Sequence, residues 1–253
     1  MPRAFRKNIF GIPMDLLSVQ QTLSLIESAM SQRKRLQHGL VNVAKVIKMR
    51  KDREIFRSVA ESDLINIDGA GVVLAARLLG FKVPQRVAGI DLMTDVLALS
   101  ERKGFRPYFL GAKQEVIEQF VEKTQERYPR LEIAGWRNGY FSDGEEQDIV
   151  KKIELSGADC LFIGMTTPKK ERMLHQYRDE FKVPFQMGVG GSFDVLAGVT
   201  KRAPKIWQKV GCEWLYRMLQ EPRRMTGRYL TTNMAFARLL LSELYARQTK
   251  LKT

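Results

Sequence analysis

The 253-residue chain carries only two cysteines, Cys160 and Cys212, and two histidines, His38 and His175. No Cys/His spacing among them matches a zinc site, so neither a structural nor a catalytic zinc is expected. Each cysteine lies in an apolar or helical stretch and reads as a small buried hydrophobe suited to a reducing compartment. No stretch approaches the roughly 20 apolar residues of a membrane span. Met1 to Val19 has early Arg and Lys but no long apolar run before a small-residue cleavage site. A signal peptide is therefore not expected, and the reading is a protein of the cytosol. Internal repeats and low-complexity linkers are also missing.

Apolar residues make up 44% of the chain, which suits a globular protein with a full core rather than a disordered one. Acidic residues are scarce where basic ones crowd. From Thr200 to Thr253, twelve Lys and Arg face three acids, so about a fifth of the chain holds nine of the fourteen net positive charges. Such a stretch reads as a site for phosphates, on nucleic acid, on anionic lipid or on a diphosphate ligand. Nucleic-acid binders join a basic surface to a reading motif, and none is recognisable, so nucleic acid is not an expected partner.

Short apolar or β-branched runs alternate with helical patterns, which predicts an α/β fold with a mostly parallel sheet flanked by helices. Strands are expected at Leu36–Asn42, Leu64–Ile67, Arg106–Leu110, Leu131–Ala134, Asp159–Ile163 and Pro184–Val189. Helices are expected at Ala44–Ala60, Ala70–Leu79, Leu92–Lys103, Gln114–Tyr128, Glu145–Ser156, Pro168–Phe181 and Ile206–Gln220. Several strands run into glycine: Asp68-Gly69, Gly111, Gly135, Gly164 and Gly190-Gly191. Glycine lets backbone turn sharply or approach a ligand, and open α/β sheets bind ligands beyond the carboxyl ends of their strands. The composition shifts near Arg202-Ala203-Pro204, which divides the chain into a domain over 1–200 and a basic helical appendage over 201–253. Met225 to Tyr245 has apolar residues at helical spacing among basic ones, and reads either as an interfacial amphipathic helix or as a helix packed on the domain.

Five segments could carry chemistry. Asp68 ends a strand just before a helix, as a general base or as the helix N-cap. Gly69-x-Gly71 is followed by Leu74, so the third small residue of a dinucleotide fingerprint is missing. Gly135–Phe141 offers turning backbone and aromatic faces to a base or sugar, or a turn with core aromatics. Thr167 and Pro168 read as N-cap and first residue of a helix whose first turn holds Lys169 and Lys170. Lysines there oppose the helix dipole, so they either meet an anion or are solvated beside Glu171. Gly188–Asp194 is a strand entering a close-approach turn, where Asp194 holds a ribose or base edge or caps a helix. Arg217, Arg224 and Arg228, at steps of seven and four, align on one helical face, as a fork for phosphate oxygens or a solvated basic face.

Taken together, these segments resemble the WecG/TagA/CpsF glycosyltransferases, glycosyltransferase family 26. The matching stretches include Asn66–Val73, Val87–Leu92, Phe109–Gly111, Asn138–Phe141, Pro168–Glu171, Gly188–Gly198, Arg202–Pro204 and Glu213–Arg217. They keep the family's order from about residue 40 to 230. The resemblance implies a Rossmann-like domain with a membrane-directed C-terminal appendage, and an inverting transfer of a sugar from a UDP-sugar to a polyprenyl-diphosphate-linked saccharide. It implies neither cofactor nor metal, and the sequence has no Asp-x-Asp to hold a divalent ion on the diphosphate. By resemblance Asp68 is the catalytic base, and Arg217, Arg224 and Arg228 reach the acceptor's diphosphate. The UDP-sugar site is expected from Asn42, Gly111, Gly139, Tyr140, Gly164, Lys170, Gly190, Gly191, Phe193 and Asp194. Expected partners are the UDP-sugar, the lipid-linked acceptor and the inner face of the cell membrane; self-association is left open.

Two residues depart from the family's usual pattern. Lys170 stands where glutamine is usual, and Leu40-Val41-Asn42 replaces a Thr-x-Asn. Losing an amide and a hydroxyl while gaining an ammonium should change which sugar is read. The expectation is therefore a hexose rather than N-acetylmannosamine, delivered in exopolysaccharide or cell-wall polymer synthesis to an acceptor whose carboxylate Lys170 meets.

Overall fold

The computed structural model describes residues 5–220 and 222–250, without the side chains of residues 209, 224, 225, 228, 248 and 250. Its centre is a six-stranded sheet whose paired neighbours all run parallel: β3 (Leu36–Val41), β4 (Leu64–Ile67), β5 (Pro107–Gly111), β6 (Gly135–Arg137), β7 (Cys160–Gly164) and β8 (Phe185–Gly188). The spatial order is β4-β3-β8-β7-β5-β6, so all six carboxyl ends meet along one edge. This is the α/β, Rossmann-like layering expected from the alternating pattern.

A β-hairpin and a helix precede the sheet, and the sequence reading assigned neither. β1 (Arg6–Ile9) and β2 (Ile12–Asp15) pair antiparallel across Phe10 and Gly11, whose φ values of 59° and 79° suit a two-residue turn of the primed kind. Phe-Gly is not a customary pair for that turn, which hides it in sequence. The hairpin lies against β4, an edge strand, and Asp15 takes the place of a strand neighbour by accepting the Ile65 N–H at 2.7 Å. Arg6 forks onto the same carboxylate at 2.9 and 2.7 Å. Helix α1 (Val19–Ser31) starts in a capping box of Ser18 and Gln21.

The expected helix over Ala44–Ala60 is two helices, α2 (Val43–Lys51) and α3 (Arg53–Ala60). Asp52 interrupts it: its Oδ1 accepts the N–H groups of Glu54 and Ile55 at 2.9 and 3.1 Å, caps α3 and offers the backbone an alternative to a continuous helix. The strand expected at Leu131–Ala134 forms instead at Gly135–Arg137, where Gly135 pairs with Tyr108 and an added Cβ would stand 2.7 Å from the Tyr108 ring. Glycine there belongs in the strand rather than after it.

One face of the sheet is covered by α1, α5 (Gly89–Lys103), α6 (Gln114–Arg127) and the short α9 (Ser192–Leu196), around Phe109, Phe120, Phe162 and Phe185. The other face carries two clusters. The hairpin with α2, α3 and α4 (Ala70–Leu78) covers Ile65 and Ile67. α7 (Glu146–Leu155) and α8 (Lys169–Gln176) cover Leu110, Leu161 and Ile163. After the sheet come α10 (Lys205–Lys209), α11 (Glu213–Gln220) and α12 (Pro222–Lys250), the last opened by proline at its first position. α12 is not a free tail. Phe236 is buried edge-on against Phe10, 5.3 Å between ring centroids, and Arg247 donates to the Leu79 carbonyl while covering the Phe81 ring. Its opposite face leaves Leu230, Met234, Leu241 and Tyr245 exposed at steps of four, seven and four.

Candidate active site

The carboxyl edge of the sheet brings the sequence-selected residues into one row. Asp68 follows β4, Asn42 follows β3, Gly190 and Gly191 follow β8, Gly164 ends β7, Gly111 ends β5, and Gly139 and Tyr140 follow β6. β4 and β6 are the two edges of the sheet, but the loop after β6 folds back onto β5, with the Gly139 N–H on the Ala112 carbonyl at 2.9 Å, so Tyr140 stands near the β5 end of the row. A ligand that meets both Asp68 and Tyr140 runs along the edge past about four strand spacings.

Asp68 does not cap α4, whose N-cap is Gly69. Its Oδ1 instead accepts the Gly89 N–H at 3.1 Å, at the start of α5. Gly69 packs so closely on the β3 end that an added Cβ would lie 3.0 Å from the Asn42 Cα. Burial raises the pKa of the Asp68 carboxyl above the usual aspartate range, and Glu213 raises it further. The Gly89 hydrogen bond and the charges of Arg86 and Arg217 pull the other way without reversing the shift. The result is a half-buried carboxyl made more basic than usual at the mouth of a parallel sheet.

Charged groups of the appendage converge on it. Arg86 forms an ion pair with Glu213 at 2.8 Å, and Arg202 forks onto Asp91 at 2.6 and 2.8 Å with its Nε 3.8 Å from Glu213. Arg217 lies one turn beyond Glu213 on α11 and is exposed. Arg224 and Arg228 fall in α12, and their side chains lie outside the described residues. Arg86 was not among the sequence candidates: it directly precedes Val87–Leu92 with no spacing signal of its own, and the fold alone turns it toward Asp68.

The expected nucleotide residues separate into two groups. Among the described residues, and chain neighbours aside, Gly190, at φ +56°, has no atom within 4 Å of its would-be Cβ, and Gly191 has only the Asp194 Oδ2, at 3.7 Å. Tyr140 is 70% exposed beside the Lys113 end of α6, with its N–H donated to the Asn138 Oδ1 at 3.0 Å. These positions are open to a ligand. Gly164, Gly111 and Gly139 are instead required by the chain's own packing. A Cβ on Gly164 would lie 2.3 Å from the Phe193 ring, one on Gly111 2.6 Å from the Gly164 backbone, and one on Gly139 3.0 Å from Gly111. Asn42 spends its side-chain oxygen capping α2, accepting the Lys45 N–H at 3.0 Å.

Two expectations are corrected. Phe193 does not present its ring to a nucleotide: it is fully buried, stacked on Phe120 at 4.6 Å and edge-on to Phe109 at 6.0 Å. The first turn of α9 directs an aromatic inward, where it gains more from burial than at the surface. Lys170 does not stand free to meet an acceptor carboxylate. Its ammonium is 2.8 Å from the Thr167 Oγ1 and 2.9 Å from Glu171, which also pairs with Lys45 at 2.8 Å. Burial brings the Lys170 ammonium down to about 8. Burial alone would raise the Glu171 carboxyl, but Lys45 and Lys170 outweigh it and bring it to about 2. Thr167 serves this cluster and not the helix end, since Pro168 is the N-cap of α8.

An α/β sheet with a basic carboxylate and converging arginines at its carboxyl edge is the framework of an enzyme that handles anionic substrates. Residues 7–250 match the glycosyl transferase WecG/TagA/CpsF family. The chain belongs to that family and is a glycosyltransferase. It is 36% identical over 197 residues to the N-acetylglucosaminyldiphosphoundecaprenol N-acetyl-beta-D-mannosaminyltransferase of Bacillus spizizenii, covering 76% of each chain. Over 174 residues it is 36% identical to the protein of the same name from Bacillus subtilis, covering 69% of this chain and 67% of that one.

Proposed function

We propose that the chain moves a hexose from a UDP-sugar onto a polyprenyl-diphosphate-linked saccharide, with inversion and without a metal, in exopolysaccharide or cell-wall polymer synthesis. The observation that carries this reading is the half-buried Asp68 carboxyl at the sheet edge, held by the Gly89 N–H at 3.1 Å, with the Arg86–Glu213 and Arg202–Asp91 pairs and Arg217 about it. An acceptor hydroxyl gives its proton to Asp68 as its oxygen bonds the anomeric carbon, while the bond from that carbon to the diphosphate oxygen breaks and UDP leaves. Arginines near Asp68, including Arg217, take the acceptor's diphosphate. The open turn at Gly190-Gly191, with Asp194 and Tyr140, receives the nucleotide part of the donor.

Transfer of N-acetylmannosamine is the second reading, favoured by the names of both Bacillus relatives. Against it stands Leu40, an apolar and nearly buried side chain where the family pattern has a hydroxyl. Lys170 gives no support to an acceptor carboxylate, because its ammonium is committed internally to Thr167 and Glu171.

No helix among the described residues is long and apolar enough to cross a membrane. The exposed stripe of Leu230, Met234, Leu241 and Tyr245, on a helix from the most basic fifth of the chain, supports docking on the inner, anionic face of the cell membrane, where a lipid-linked acceptor resides.

Asp68→Asn tests the reaction. With radiolabelled UDP-sugar and a lipid-linked acceptor, a folded variant should lose at least a hundredfold in turnover. Near-parental turnover would remove Asp68 from the base role. A thermal-shift screen across UDP-sugars identifies the donor, since a ligand that binds the native state raises its melting point.

A further inference from the structure

α12 packs on the catalytic domain through Phe236, whereas α11 meets it near Asp68 at a small set of contacts that involve no apolar core. α11 has no buried residue. It is led in by the turn at Gly211, at φ +75°, whose missing Cβ leaves room for the Ala70 methyl at the start of α4, 2.7 Å from where that Cβ would stand. Two residues later Glu213 opens α11 and pairs with Arg86, which lies between α4 and α5. On the far side of Glu213, Arg202 approaches to 3.8 Å while its fork is held by Asp91. Glu213 therefore stands between two arginines of separate segments, each held close to Asp68. Arg217 follows Glu213 by four residues, a spacing that puts both side chains on one face of the helix.

We infer that Glu213 is a positioning residue: it anchors α11 to Arg86 and Arg202 and thereby sets Arg217 beside Asp68. An α-helix held at one end by a charge-assisted contact carries the side chain one turn later to a fixed place. The contact has a second effect. Five charged groups stand about the site: Arg86, Arg202 and Arg217 favour ionised Asp68, Glu213 opposes it, and Asp91 neutralises Arg202. Removing the Glu213 charge by itself favours ionised Asp68, while release of α11 withdraws Arg217 and disfavours it, so the two effects of losing Glu213 on the base oppose each other.

The inference rests on the transferase reading with Asp68 as base, and its test keeps the two apart. Full-length parent, Glu213→Gln, Glu213→Asp and Asp68→Asn are compared with UDP-sugar and lipid-linked acceptor between pH 4.5 and 8.5. Circular dichroism melts check that each is folded. Glu213→Gln should raise the acceptor KM about tenfold and leave the thermal shift given by the UDP-sugar unchanged. Glu213→Asp keeps the charge and should give a smaller rise in KM. If Glu213→Gln retains the parental acceptor KM, or Glu213→Asp gives no rescue, the positioning role is overturned. Should that happen while Asp68→Asn is inactive, only the role of Glu213 falls. Should Asp68→Asn stay active, the reading of the reaction itself falls.

Discussion

Replacing Glu171 by glutamine removes a carboxylate that sits between two ammonium groups, with side-chain exposures of 5% for Glu171, 12% for Lys45 and 10% for Lys170. A carboxyl that moves from its ordinary 4.5 to about 2 on folding contributes about 3 kcal/mol at neutral pH. Breaking a buried pair by deleting one partner costs about 3–5 kcal/mol on general grounds, because the other charge is stranded. The two routes agree, and Glu171→Gln should lose about 3–5 kcal/mol. The sign with pH follows from the depressed carboxyl. Its contribution is complete above pH 4.5 and is lost as pH falls toward 2, a decline that Glu171→Gln should lack. Lys170 behaves oppositely. Its ammonium is disfavoured by burial, so the parent gains stability as pH rises from about 8 toward 10.5, where the unfolded chain still holds the proton. Lys170→Gln should therefore cost under about 1 kcal/mol at pH 7, since Lys45 still partners Glu171. Urea unfolding followed by far-ultraviolet circular dichroism from pH 2 to pH 11, read as midpoint shifts at constant slope, measures all of this. Equal losses in Glu171→Gln and Lys170→Gln would refute the account, since it makes the carboxylate indispensable and the second ammonium dispensable.

Two further substitutions separate packing from binding. Phe193→Ala should cost about 3–5 kcal/mol in urea unfolding and leave UDP-sugar affinity of the folded fraction unchanged, because the ring belongs to the Phe109–Phe120 cluster. Gly164→Ala should cost about 1–3 kcal/mol by pushing a methyl into the Phe193 ring. Gly190→Ala meets no neighbour and should cost only about 1–2 kcal/mol for its left-handed backbone, its main effect falling on UDP-sugar affinity measured by calorimetry.

Much of this protein is decided by local pattern. Short apolar runs alternating with period-3.6 segments, with glycine stops, fix the parallel α/β framework, and β4 falls at Leu64–Ile67 as read, because short buried strands bounded by breakers leave little choice. The run of strand ends also brought Asp68 and the Gly190 turn to one edge, since parallel strands share a carboxyl side. Local chemistry was harder to read where a side chain competes with the backbone, as at Asp52, or where a turn uses uncommon residues, as at Phe10-Gly11. Only the tertiary structure decided what each polar residue faces. Pattern gave Lys170 two readings, anion site or solvated lysine, and packing supplied a third: a buried ion-pair cluster with Lys45, Glu171 and Thr167. Likewise a glycine at a strand end reads the same whether a ligand or a phenylalanine fills the space beside it, and Gly190 and Gly164 differ only in their neighbours. Arg86 and Glu213 are 127 residues apart in the chain and 2.8 Å apart in space. Charge pairing at such separation follows from how layers and appendage close on each other, and no local spacing encodes it.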